Sequence, residues 1–313
     1  MVRQGRRSTA WAAPTTVASM SAPASPLNSQ LDGWGTPDMV SPLKKVFVRT
    51  PTTVGAFVAD GHWREPDLDL LPRQHAEFVD LLRGFGAEVL VGDAIDGLVD
   101  AVYTHDPAVM TPHGSILLQM RKPVRSPEPA AMRSDFERLG VPILGSLAGD
   151  AVSDGGDKVW LDERTLVVGR GYRTNASAVA QFRALLEPHG VSVISVDLPH
   201  YLGPDAVLHL MSVISPIAHD LAVVYEPLAP VALLELLDER GIARITVDED
   251  EMLTQGANIL AVAPGEVVLA AGNDKVRAKL DAAGVKVHEF AGTEVAVKGD
   301  GGPTCLTQPL WRA

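Results

Sequence analysis

From Lys44 onward the chain alternates between two hydrophobic periods. Apolar residues spaced three and four apart, as in Phe78, Leu81 and Leu82 or Phe182, Leu185 and Leu186, form one stripe on a helix. Each such run ends in glycine, and a short β-branched stretch follows, as in "FVDLLRGFGAEVLVGD", "FRALLEPHGVSVISVD" and "VRAKLDAAGVKVHEFA". The five glycines are Gly86, Gly140, Gly190, Gly241 and Gly284, 43 to 54 residues apart. Glycine suits the left-handed position that closes a helix. Between these phrases lie pairs of strand-like stretches, such as "DKVWLDERTLVVGRG" and "NILAVAPGEVVLAAGN". The pattern predicts five units of strand, strand, helix and strand, sharing one core. Five such units close into a ring, so the predicted fold is an α/β class, five-bladed propeller. No Gly-x-Gly-x-x-Gly follows a strand and no Gly-x4-Gly-Lys-Ser/Thr loop occurs, which leaves a nucleotide fold little support.

The first forty residues break the pattern. They are rich in Ser, Ala, Pro and Thr with no apolar period, and predict a disordered tail over 1–40 before a single domain over 41–313. Arg6-Arg7 invites comparison with an export signal, but Pro14, Thr15, Thr16 and Ser19 interrupt the apolar region behind it. The net charge of −12 argues against nucleic-acid or anionic-membrane partners and is compatible with a cationic one. A single cysteine excludes an intramolecular disulfide and a cysteine-based zinc site, and points to a reducing cytoplasm. No metal or organic cofactor is expected. A homo-oligomer is left open.

Four loops carry polar residues the repeat does not need. "VDAVYTHDPAVM" holds Asp100, His105 and Asp106; two carboxylates facing one cavity would grip a planar cation, though Asp106-Pro107 also reads as a turn starter. In "SDGGDKVWL" the glycines would aim Asp154 inward to orient an imidazole, or simply make a hairpin turn. His209 in "AVLHLMSVIS" is either a core histidine or a catalyst. Cys305 sits in "GDGGPTCLTQPL", a glycine-rich turn where a buried structural cysteine is out of place. A cysteine with a histidine and an acid from distant positions is the arrangement of a covalent catalyst.

Taken in order, "DAVYTHDPAV", "DGGD", "GYRTNASA", "LHLMSVIS" and "GGPTCLTQPL" resemble the guanidine-modifying enzymes, which include dimethylarginine dimethylaminohydrolase, arginine deiminase and the amidinotransferases. The resemblance runs from about Lys44 to Leu310 and leans towards the dimethylargininase-like branch. It implies the five-bladed propeller, or pentein, fold and a hydrolase cleaving a guanidine C–N bond of arginine or a methylated arginine. Cys305 would be the nucleophile, His209 the acid and base, and Asp154 its support. Asp106 would hold the guanidinium with Asp100 beside it, while Arg125 and Arg173 would hold the substrate carboxylate. His105 stands where the dimethylargininases have a substrate-contacting Glu. Met211 stands where deiminases and amidinotransferases carry a second Asp, and would leave room for methyl groups. An amidinotransferase and a non-catalytic sensor of an arginine-like ligand are the alternative readings.

Overall fold

The computed structural model describes residues 33–61 and 63–313. The elements run β1 (Leu43–Arg49), α1 (Leu71–Gly84), β2 (Glu88–Gly92), then β3 (Ala108–Thr111), β4 (Gly114–Leu117), α2 (Glu128–Leu139) and β5 (Ile143–Ser146). The same order recurs in β6 (Lys158–Asp162), β7 (Thr165–Arg170), α3 (Ala176–Leu186) and β8 (Ser192–Asp197). It recurs again in β9 (Ile214–Ala218), β10 (Leu221–Val224), α4 (Val231–Glu239) and β11 (Ala243–Thr246). After the short α5 (Glu249–Met252) come β12 (Leu260–Ala263), β13 (Glu266–Ala270), α6 (Asp274–Ala282), β14 (Lys286–Phe290) and β15 (Gln308–Arg312).

These strands make five three-stranded mixed sheets, each with a central strand paired antiparallel on one side and parallel on the other. The parallel pairing follows from the helix, whose crossover returns the chain in the original direction. The C-terminal β15 pairs with β1, so the fifth sheet is completed by the two ends of the domain. Antiparallel strands of neighbouring sheets also touch one another, β15 with β3, β12 with β9, and β9 with β6. The outer helices bury their stripes against the sheets through Phe78 and Leu82, Met132 and Phe136, and Phe182 and Leu186. All five glycines of the repeated phrase have φ between +67° and +80°, a region costly for any residue with a Cβ.

Residues 1–32 of the expected tail lie outside the described residues. Residues 33–40, assigned to that tail by composition, pack instead on the domain. Gly35 bridges Trp311, its N–H bonds the Leu310 carbonyl at 2.7 Å, and Thr36 and Val40 are buried. Composition missed this because backbone pairing needs no hydrophobic period. Among the described residues no helix is long and apolar enough to cross a membrane.

Candidate active site

One rule places the site. Asp106, Asp154, His209, Asn258 and Cys305 each lie within five residues before the first strand of a hairpin or before β15, that is before β3, β6, β9, β12 and β15. Five equivalent loops therefore each present one polar side chain. Asp100, Asp106, Arg125, Arg173, His209 and Cys305 line a single cavity with about 370 Å³ of empty space. Asp154 stands behind it, fully buried, in contact with both His209 and Arg173.

Glycines make these close approaches sterically possible. A Cβ on Gly156 would sit 2.5 Å from His209 Nδ1, and one on Gly155 would meet the His105 carbonyl. In the cysteine turn, a Cβ on Gly301 would strike the Tyr103 ring and one on Gly302 the Asn258 amide. The glycine-rich setting of the lone thiol is thus explained by what lies against it. Gly156→Ala should push the imidazole off its position and lower kcat/KM by about 10²-fold. Steady-state kinetics beside a denaturation curve checks this; an unchanged rate would show that the ring has room to spare.

Asp154 Oδ2 accepts from His209 Nε2 at 3.3 Å and from Arg173 Nη1 at 3.3 Å, while Oδ1 accepts from the Arg121 N–H. Burial pushes the Asp154 carboxyl up, but His209, Arg125 and Arg173 outweigh it and hold the group well below the ordinary carboxylate range. The imidazole responds in kind. Burial lowers its pKa, and the carboxylates of Asp154, Asp157 and Asp106 more than reverse this, so His209 favours the charged form. Asp157, which the sequence reading did not assign a role, is the brace of this loop: its oxygens accept from the Leu210 N–H and the Thr174 hydroxyl. The backbone N–H of His209 in turn donates to Ser212 Oγ at 3.0 Å.

The thiol has a different environment. Asn258 Nδ2 donates to Cys305 Sγ at 3.2 Å, and Asn258 Oδ1 accepts from the Thr304 N–H, so one amide holds both the sulfur and its turn. Burial, with Asp106 adding to it, pushes the thiol pKa up to about 12; Asn258 and the Gly302 backbone act the other way. The unliganded site therefore holds a neutral thiol. Sequence reasoning passed over Asn258. The signal was available, since it is the polar residue before the fourth hairpin, equivalent to Asp106, Asp154 and His209.

Three expectations change on contact with the structure. Arg125, expected to hold a carboxylate of the substrate, lines the cavity but has most of its donors engaged within the protein. Its Nε and Nη2 donate to both oxygens of Glu128 at 2.8 Å, and Nη1 donates to Asp106 Oδ2 at 2.7 Å. Burial opposes the guanidinium charge, and Glu128 and Asp106 outweigh it. Burial also pushes Glu128 up, to about 7, against the pull of Arg125; its two-pronged contact with a permanent cation argues for the carboxylate form. His105, expected to touch substrate, leaves its turn on the other side from Asp106. Its Nδ1 faces the Thr307 carbonyl at 3.2 Å, and its ring lines a different cavity with Lys158, Trp160 and Arg312. Met211 is buried within an apolar cluster and does not line the cavity, so it makes no room for methyl groups.

Asp106 still has acceptor capacity. Each oxygen carries one observed bond, Oδ1 from the Gly156 N–H and Oδ2 from Arg125, out of roughly four lone-pair positions on the carboxylate. Asp100 accepts from Trp63 Nε1 at 2.7 Å, and its other oxygen lies 3.9 Å from Arg125 Nε. Among the described residues no group of three or more His, Cys, Asp or Glu is arranged to hold a metal ion.

Five mixed sheets of an α/β protein thus bring a thiol, an imidazole and buried carboxylates to one cavity. The arginine deiminase family profile matches residues 92–239 and 229–312, and the chain belongs to that family. It is 29% identical over 239 residues to the uncharacterized protein YkgA of Bacillus subtilis, covering 76% of this chain and 79% of that one. It is 27% identical over 257 residues to the arginine deiminase of Listeria monocytogenes, covering 70% of this chain but 62% of the longer deiminase. Among solved structures, the dimethylarginine dimethylaminohydrolase of Pseudomonas aeruginosa in complex with citrulline superposes with a TM-score of 0.72 at 21% identity. That match covers 86% of this chain and all of the other. The N-terminal domain of ArgZ, an arginine dihydrolase from cyanobacteria, gives 0.74 at 20% identity, over 86% and 97%.

Proposed function

We propose that the chain is a cysteine-dependent hydrolase of a C–N bond in a linear amidine. Its substrate is the guanidine of arginine or of an Nω-methylated arginine, and its products are citrulline, or another ureido compound, and an amine or ammonia. The carrying observation is that Cys305, His209 and Asp106, from three different sheets' loops, face one cavity. The five sheets are then the blades of a five-bladed propeller and the cavity lies at one end of its axis, in a single catalytic domain over 41–313 on which residues 33–40 also pack. The lone thiol fits a reducing, cytoplasmic setting.

In this mechanism the guanidinium docks against Asp106 and places its carbon before Cys305. A cation beside the sulfur favours the thiolate by direct Coulomb attraction, offsetting the burial that keeps the free thiol neutral. The thiol proton leaves to solvent, and sulfur bonds the guanidinium carbon to give a tetrahedral adduct. His209, charged in the free site, gives its proton to the departing amine as the C–N bond breaks, leaving a cationic thiouronium. The now neutral imidazole takes a proton from water, whose oxygen attacks the same carbon. The C–S bond then breaks as the new hydroxyl gives up its proton, releasing the neutral ureido product, and the sulfur leaves as thiolate and is reprotonated to the thiol. Asp154 keeps the imidazole oriented, and favours its charged form until the amine departs.

The proposal carries a pH signature. A group whose folded pKa is raised is protonated below that pKa and loses its proton as pH climbs through it, so the first step fails on the alkaline side. Asp154→Asn removes a partner that raises the His209 pKa. The alkaline limb of kcat/KM should therefore move to lower pH, alongside a loss of rate of about 10²-fold or more. An alkaline limb that stays in place would remove His209 as the acid. The direct test of function is incubation with arginine, its Nω-methylated forms and other guanidino compounds, followed by assay for ureido product. If none is turned over, the reading fails.

A further inference from the structure

We propose that a second cavity adjoining the reaction cavity is a subsite for an apolar group on the departing nitrogen. The preferred substrate is then a guanidine whose leaving amine carries a hydrocarbon arm larger than methyl. The inference rests on the preceding functional reading and extends it to the class of amine released.

This annex has about 640 Å³ of empty space and shares Val207 and Asp300 with the reaction cavity. Asn258, whose amide holds Cys305 Sγ at 3.2 Å, also belongs to its wall. Most of the remaining lining is apolar, from Leu202, Ala206, Met252, Leu253 and Ala257. Leu202 is 78% exposed and Leu253 57%, so hydrocarbon faces water across a concave surface, as in a ligand groove and unlike a packed core. Among the described residues the one carboxylate in the lining, Asp300, is paired with Arg64 at 3.3 Å.

The backbone points the same way. Among the described residues only Leu202, Gln255 and Asp300 combine a side chain with a left-handed φ, at +46°, +71° and +58°. All three line the annex. Each lies in a loop that delivers a site residue: His209 follows Leu202, Asn258 follows Gln255 and Cys305 follows Asp300. Asn258 N–H donates to the Gln255 carbonyl at 3.0 Å, so the Gln255 turn places the amide that meets the sulfur. Such conformations persist where the surrounding structure imposes them, and they gather at ligand sites.

The side on which the annex lies decides what it holds. Val207 and Ser212, on either side of His209 in the chain, both line it. It therefore adjoins the reaction cavity where the acid meets the departing nitrogen. An alkyl group on that nitrogen reaches past Val207 into the annex. Water supplies the oxygen of the ureido product, the C–N bond to the substituted nitrogen breaks, and that nitrogen takes the His209 proton and leaves as an alkylamine. Each methylene moved from water into the annex strengthens binding by about fourfold.

The test compares arginine, Nω-methylarginine and Nω-propylarginine on the full chain, reading both the rate and the amine set free. Wild type should use the propyl compound with kcat/KM about tenfold above the methyl one and release propylamine with citrulline. Ala206→Phe, which fills the annex, should lower turnover of the propyl compound at least about tenfold and leave arginine unchanged. Leu253→Trp fills it from a different and exposed position, and should give the same pattern should Ala206→Phe not fold. Release of ammonia with an Nω-propylated citrulline would put the propyl group on a retained nitrogen, overturning the subsite while the hydrolase reading stands. Equal losses for arginine and the propyl compound in both variants, or a wild type that uses arginine and refuses the propyl compound, would have the same meaning. Turnover of no guanidine overturns both.

Discussion

Replacing Cys305 by serine is expected to abolish ureido product formation from every guanidine the wild type uses, while substrate still binds. The exchange changes one atom in a position that Asn258 and the Gly302 backbone already hold, so the cavity keeps its shape. What it removes is the polarizable sulfur that the proposed mechanism uses as nucleophile. A serine hydroxyl there has a far higher pKa than a thiol, and His209, whose pairing with Asp154 favours the protonated ring, is poorly suited to take its proton. A companion measurement probes the sulfur itself. With the free thiol pushed up to about 12, alkylation by iodoacetamide should keep accelerating through pH 10 in the unliganded protein. A guanidino ligand that is not turned over should speed thiolate formation while shielding the sulfur sterically, and difference absorbance of the thiolate separates the two effects. Equal turnover by wild type and Cys305→Ser would remove the thiol from the chemistry.

The second large effect is on stability. Arg125→Met should cost about 3–5 kcal/mol, because it strands the buried Glu128 and removes a partner of Asp106. Chemical denaturation followed by circular dichroism measures this as a lowered midpoint. Glu128→Gln should cost less, since Arg125 keeps Asp106. If Arg125→Met unfolds at the wild-type midpoint, the pair contributes nothing to folding, and the role expected from the resemblance, contact with substrate, returns as the better account of Arg125.

That contrast shows how far residue order carries. The five glycines and the helical stripes were legible because local backbone sterics and one-sided burial act over a few residues. Cys305, His209 and Asp154 were legible as an unusual set; in the structure the first two line one cavity and Asp154 touches His209 from behind it. Arg125 was assigned by its position in a motif, yet Glu128 three residues later in "RSPE" already carried the sign of an internal pair. His105 and Asp106 are neighbours in the chain and face different cavities, which no residue order states.

The sequence alone determines the repeating unit, its helix ends and which chemical groups each loop can offer, because each depends on a short stretch of chain. Only the tertiary structure decides which groups share a cavity, which cations are already spent on internal carboxylates, and how burial shifts each proton. Those outcomes depend on residues scores of positions apart being packed within a few ångströms, where a single acceptor or a lost water outweighs anything the local sequence contributes.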